Sequence, residues 1–281
     1  MKVNLATSAG FCFGVRRAIN IALETAKTNK PVFMLGDIVH NEDVVRQIQE
    51  VGINKICRLS AGNGKILLIR AHGCSRKTLQ QAKNSGYSII DATCPMVKEI
   101  HAIAKRLENN GFKIIVIGDK YHDEVKGIVG QLKNKAIIID KLEHIPLDKI
   151  RRIKKAGVVV QSTQSLDKVQ EIFDILNKNI PELEFHNTIC KPTRTKQSEI
   201  KVMPLENDVV IIIGSKTSAN TKRIYEISKS INNRSYWVNS SKEIRKSYLA
   251  EAKSVGITAG ASTPESTIQE VIKRIKTIAA V

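Results

Sequence analysis

The chain has 281 residues, 42% of them hydrophobic, which is enough to bury two or three modest cores and excludes a disordered or fibrous protein. Its 45 Lys and Arg against 27 Asp and Glu give a formal net charge of +18. The basic residues are spread along the chain without a block, and aromatics are only 4%, so the charge argues against a nucleic-acid binder and for a surface that attracts an anionic substrate or an acidic redox partner.

Residues 1–7 read as a short strand rather than a signal peptide. Strand-like runs of β-branched residues follow at 31–35, 65–70, 88–90, 113–117, 136–139, 158–160, 208–213 and 254–258. Most are short and almost wholly apolar, as strands buried on both faces are, and the longest is far too short to span a bilayer. Helical stripes lie between them, such as Val15, Ala18, Ile19, Ala22 and Leu23, then Val44, Val45, Ile48 and Val51. The expected fold class is α/β with mainly parallel sheets.

Ligands of such sheets bind beyond the carboxyl ends of the strands, and the polar residues there are not random. Run 31–35 is followed by Gly36 to Asn41 with His40, run 65–70 by Ala71-His72-Gly73, and run 113–117 by a loop with His122 and Glu124. Later exits carry Gln161-Ser162-Thr163-Gln164 and two hydroxyl-rich loops, 214–221 and 260–264, each opening a predicted helix whose N–H groups suit phosphate. Helix capping by the same residues is the plain alternative at any one loop.

Five cysteines without close pairing argue against a disulfide framework and fit a reducing cytoplasm, and the lack of Cys-x-x-Cys knuckles argues against structural zinc. Three of them, Cys12, Cys94 and Cys190, stand in Gly- or Pro-containing loops 82 and 96 residues apart. That placement suits thiolate ligands of an iron–sulfur cluster, three of which would leave one iron of a cubane open. The spacing divides the chain into three expected modules, 1–93, 94–189 and 190–281, although similarity between the thirds is too weak to establish a repeat. Cys57, beside a short apolar stretch, reads as a small buried hydrophobe. Cys74 follows His72-Gly73 at a strand exit, and as a fourth ligand it would close the open iron.

Taken in order, Gly10 to Ala18, Val39-His40-Asn41, Arg70 to Gly73, Asp91 to Pro95 and His122 to Val125 resemble the 4-hydroxy-3-methylbut-2-enyl diphosphate reductases, the last enzymes of the non-mevalonate isoprenoid pathway. The resemblance continues through Gln161 to Ser165, Thr188 to Cys190 and the loops 214–221 and 260–264, nearly the whole chain. It implies three similar α/β domains around a central 4Fe–4S cluster held by Cys12, Cys94 and Cys190. It implies further that His40, His72, His122, Ser218, Asn220 and Ser262 bind the diphosphate, with Ala219 contributing through its backbone. Glu124 is implied as the proton donor, with Thr163 completing a hydrogen-bond relay.

The implied reaction is a two-electron reductive dehydration of an allylic alcohol to isopentenyl and dimethylallyl diphosphate, with a reduced acidic ferredoxin or flavodoxin as donor. An iron–sulfur electron carrier, a metal-free phosphate-ester enzyme and a basic nucleic-acid-binding protein are the competing readings. Three departures stand out: Asp123 replaces a common proline and is expected to loosen its loop, Ala219 replaces serine, and Lys191 to Gln197 differs from the usual Ala-Thr-x-x-Arg-Gln. None is expected to abolish activity.

Overall fold

In the computed structural model, which describes residues 1–279, the chain alternates strand and helix almost throughout. β1 (Lys2–Leu5) leads through α1 (Phe13–Ala26) to β2 (Val32–Leu35), α2 (Glu42–Glu50), β3 (Ile53–Ile56), β4 (Ile66–Ile69), α3 (Arg76–Asn84) and β5 (Ser88–Asp91). Next come α4 (Pro95–Asn109), β6 (Lys113–Ile117), α5 (Asp123–Val129), β7 (Ile137–Ile139), α6 (Leu147–Ile150), β8 (Lys155–Val160), α7 (Leu166–Asn179) and β9 (Glu182–His186). The last third holds α8 (Lys191–Glu206), β10 (Val209–Ile213), α9 (Ala219–Ile231), β11 (Ser235–Val238), β12 (Ser254–Ala259) and α10 (Glu265–Ala279).

The strands form three four-stranded sheets, ordered β3-β2-β4-β5, β7-β6-β8-β9 and β11-β10-β12-β1, and every pairing is parallel. The three orders are one topology used three times. In the third sheet the last place is taken by the first strand of the chain, with Lys2 to Leu5 in register with Ser254 to Ile257. This corrects the expected 1–93 module, because β1 finds its partner in β12, and a four-residue strand is stable only as part of a larger sheet. Two compact units result: Met1–Arg16 and His40–Val44 with the chain from Lys191 onward, and Arg17–Val39 with Val45–Cys190.

Inner strands β4 and β10 are buried at every residue, as sheets covered by helices on both faces require. Cores form on either side of such strands. Ile115, Ile117, Val158 and Val160 pack against Val169, Ile172 and Leu176 of α7, whereas Ile114, Val116 and Val159 face Ile100, Ala104 and Leu107 of α4. In the other unit Val209, Ile211 and Ile213 face Ile268, Val271 and Ile275 of α10. Cys57, expected inside, is exposed, because it lies one residue beyond the edge strand β3.

Candidate active site

Each sheet turns the same three features toward its carboxyl end. The residue after the first strand is a glycine whose N–H donates to the last residue of the neighbouring edge strand: Gly36 to Ile56, Gly118 to Ile139, Gly214 to Val238. Four residues further on stand His40, His122 and Ser218, and six further on Glu42, Glu124 and Asn220. A cysteine immediately precedes each helix that leaves the fourth strand, Cys12 before α1, Cys94 before α4 and Cys190 before α8. Their N–H groups donate to Ala261, Ala71 and Ser162, at 3.1, 2.9 and 3.1 Å, each acceptor the second residue past the sheet's third strand. A repeat that is faint in the side chains is thus explicit in the backbone.

The unit holding β2 to β9 strings its candidate residues together. Cys94 is tied to Ala71, the neighbour of His72, and the His72 and His122 rings meet edge to face with centroids 5.4 Å apart. His122 caps α5, its Nδ1 accepting the Glu124 N–H at 3.1 Å, which leaves Nε2 to carry the proton of the neutral ring. Glu124 is 1% exposed. Its Oε1 accepts the Ser162 N–H at 2.6 Å and its Oε2 the Ser162 hydroxyl at 2.8 Å. Burial raises its pKa above the ordinary carboxylate value, an effect only partly offset by the two Ser162 hydrogen bonds. Ser162 in turn accepts the Cys190 N–H through its carbonyl.

Two expectations change here. The hydroxyl beside Glu124 belongs to Ser162, whereas Thr163 points elsewhere and accepts from the Gln161 side chain at 3.1 Å. Adjacent hydroxyls in the Gln-Ser-Thr-Gln exit cannot be ranked by residue type alone; their directions depend on the turn. Asp123 does not loosen its loop: as the first residue of α5 it pairs with Arg70 at 2.6 Å. Arg70 fits because Gly36, with φ +77°, has no Cβ; one there would lie 2.7 Å from the guanidinium. Cys74 packs beside Leu67, Ile69 and Tyr87, and burial, reinforced by Asp91, pushes its thiol up to about 11, a neutral core residue rather than a ready thiolate.

The other unit gathers the hydroxyl-rich loops. Ser262 donates to the His40 carbonyl at 2.9 Å, and Ser215 to Glu42 at 2.7 Å. Ser218 caps α9 by accepting the Thr221 N–H at 3.3 Å, and Ala219, the first residue of that helix, offers only backbone. Asn220 is 4% exposed, and neither atom of its amide finds a hydrogen-bond partner among the described residues. An unsatisfied buried amide at a helix start is costly and suits an anion with several acceptor oxygens.

Sequence reasoning also missed buried Lys196 on α8 and His101 on α4. Burial holds the His101 imidazole down to about 4, so it is neutral packing beside Gly73 and Gly127. No helix among the described residues is long and apolar enough to cross a membrane.

These features define a class: an α/β enzyme with three parallel sheets of one topology that presents thiols and imidazoles at its strand exits. A family model for the LytB protein matches residues 3–276, and the chain belongs to that family. Among its relatives, the 4-hydroxy-3-methylbut-2-enyl diphosphate reductase of Geotalea daltonii is 37% identical over 99% of this chain and 98% of its own length. The reductase of Dictyoglomus turgidum, also 37% identical, covers 99% and 97%. A solved structure of (E)-4-hydroxy-3-methyl-but-2-enyl diphosphate reductase, the terminal enzyme of the non-mevalonate pathway, matches with 35% identity and a TM-score of 0.72 over 99% of this chain and all of its own. The corresponding Plasmodium falciparum structure matches with 29% identity and a TM-score of 0.91 over 97% of this chain and 87% of its own.

Proposed function

We propose that this enzyme reduces 4-hydroxy-3-methylbut-2-enyl diphosphate to isopentenyl and dimethylallyl diphosphate, consuming two electrons and two protons and releasing the hydroxyl as water. The observation that carries the reading is Glu124, a carboxyl whose pKa burial raises and which is tied to a serine hydroxyl at a strand exit, in a chain similar along its whole length to reductases of that name.

Cys12, Cys94 and Cys190 would hold a 4Fe–4S cluster. The donor set fits: three half-buried cysteine thiols, each directly before a helix, where the N-terminal N–H groups favour an anionic ligand. When bound, the cluster supplies the two electrons and a Lewis-acidic iron. The remaining work falls to side chains. Asn220, Ser218, Ser262 and the Ala219 N–H bind diphosphate oxygens, joined by His40, His72 and the Nε2–H of His122. Glu124 delivers a proton through the Ser162 hydroxyl to the hydroxymethyl end, and Thr163, turned toward Gln161, shapes the exit beside it. An acidic reduced ferredoxin or flavodoxin in the cytoplasm would suit the +18 charge as electron donor.

Anaerobic turnover tests the reading: cluster-reconstituted protein, reduced viologen dye, and dye oxidation on adding the allylic diphosphate. Oxidation that disappears in Cys94→Ser supports it; an intact cluster indifferent to the substrate rejects it.

A further inference from the structure

Lys196 is 2% exposed, on α8, six residues after Cys190. The matching positions after Cys12 and Cys94 are Ala18 and Ile100, both buried and apolar. One helix of three therefore places a cation where packing alone is satisfied by a hydrocarbon. Such a burial is costly unless the charge is used.

Its Nζ donates to the Ser8 carbonyl and, at 3.0 Å, to the carbonyl of Ala259, the last residue of β12. One turn on, Glu199 takes the other side of Ser8, accepting its N–H at 3.2 Å and its hydroxyl. Ser8 lies in the loop that carries Cys12, and the Cys12 N–H is in turn held by Ala261, two residues beyond Ala259. Between them Gly10 takes φ +87°, a turn that lets the loop close over Ile268. Lys196 thus grips both backbone segments that fix Cys12. Burial lowers its pKa to about 8, a change that Cys12 and Glu199 oppose.

We infer that Lys196 is a positioning residue for Cys12 and the fixed counter-cation of the group Cys12 holds, raising that group's reduction potential. This rests on the proposed cluster. A buried positive charge near a redox centre stabilises the reduced, more negative state, and its removal lowers the potential. Glu199, the acidic residue of α8 that holds the same loop, acts with the opposite sign.

The test compares wild type, Lys196→Met, Lys196→Arg and Glu199→Gln, each reconstituted anaerobically at pH 7, by iron content, spectroelectrochemical midpoint potential and far-ultraviolet circular dichroism. The expected order is Lys196→Met below wild type, Lys196→Arg at wild type and Glu199→Gln above it. Coincident midpoints, or changes of Lys196→Met and Glu199→Gln in the same direction, overturn the inference, because loosening of the loop alone has no reason to reverse sign. If Lys196→Met fails to fold, the Glu199→Gln and Lys196→Arg midpoints decide it alone. A wild type that binds no iron rejects the cluster itself, an outcome separate from coincident midpoints.

Discussion

Glu124→Gln separates chemistry from architecture. The carboxamide is nearly isosteric; its oxygen can accept the Ser162 N–H, now 2.6 Å from Oε1, and its NH2 can donate to the Ser162 hydroxyl, now 2.8 Å from Oε2. Both contacts survive, and only the transferable proton is lost. General acid catalysis is worth about 10²–10⁴-fold, so kcat should fall by that factor, roughly 3–5 kcal/mol of barrier. Stability should move the other way. Because burial raises the folded pKa of Glu124, its favourable contribution is fully present below the unfolded carboxylate value and is lost as pH rises through the folded one. The amide has nothing to lose, so the variant should match wild type near pH 4 and equal or exceed it at pH 8, by about 1.4 kcal/mol for every tenfold by which folding weakens the acid. Dye-linked turnover at matched iron content, with urea unfolding at the two pH values, reads both. A kcat within threefold of wild type, or a variant less stable at pH 8, would refute the reasoning.

Ser162→Ala leaves Oε2 of a buried carboxyl without its hydroxyl, which costs about 1–3 kcal/mol, so turnover should drop about 10–100-fold and by more than in Thr163→Ala; the reverse order in dye-linked kinetics would restore Thr163 to the relay. Gly73→Ala combines φ +72° with a Cβ 2.9 Å from His101 Cε1 and 3.2 Å from Thr93 Cγ2. Urea denaturation should show a loss of about 1–3 kcal/mol, and an unchanged midpoint contradicts this. His101, depressed from 6.5 to about 4, contributes stability that is present above pH 6.5 and lost as pH falls toward 4, roughly 3 kcal/mol in all. His101→Gln should flatten that part of the stability profile, and an unaltered slope would place the titration elsewhere.

The β-branched runs announced β2, β4, β6, β8, β10 and β12 because inner strands of a parallel sheet are apolar on both faces. The strands left unread, β3, β9 and β11, are each an edge of a different sheet. Their sequences, Ile-Asn-Lys-Ile, Glu-Leu-Glu-Phe-His and Ser-Tyr-Trp-Val, carry polar residues that an edge can turn to solvent. The placement of the cysteines, the histidines and Glu124 past strand ends was legible for a different reason: strand exits are where an α/β fold presents its chemistry. Lys196 was not legible, since a lysine in a +18 chain reads as surface until its carbonyl partners are seen.

The threefold repeat explains why the modules resist comparison by sequence yet carry related chemistry. What recurs is a set of backbone hydrogen bonds from glycine and cysteine N–H groups to carbonyls, which almost any residue can supply, so the cysteine acceptors can be as different as Ala71, Ser162 and Ala261. Side chains at the same distance past the first strand differ in charge: Glu42 is exposed and holds Ser215, Glu124 is buried on Ser162, and Asn220 is buried with no partner for its amide among the described residues. One scaffold position thus holds an exposed carboxylate, a buried carboxyl whose pKa burial raises, and a buried amide, on the same topology. The third copy is completed only when β1 pairs with β12, so the strand that leads to Cys12 is secured by the far end of the chain. Lys196 and Glu199 grip the same loop, and Cys12 is therefore the cysteine whose position depends on the largest separation in sequence.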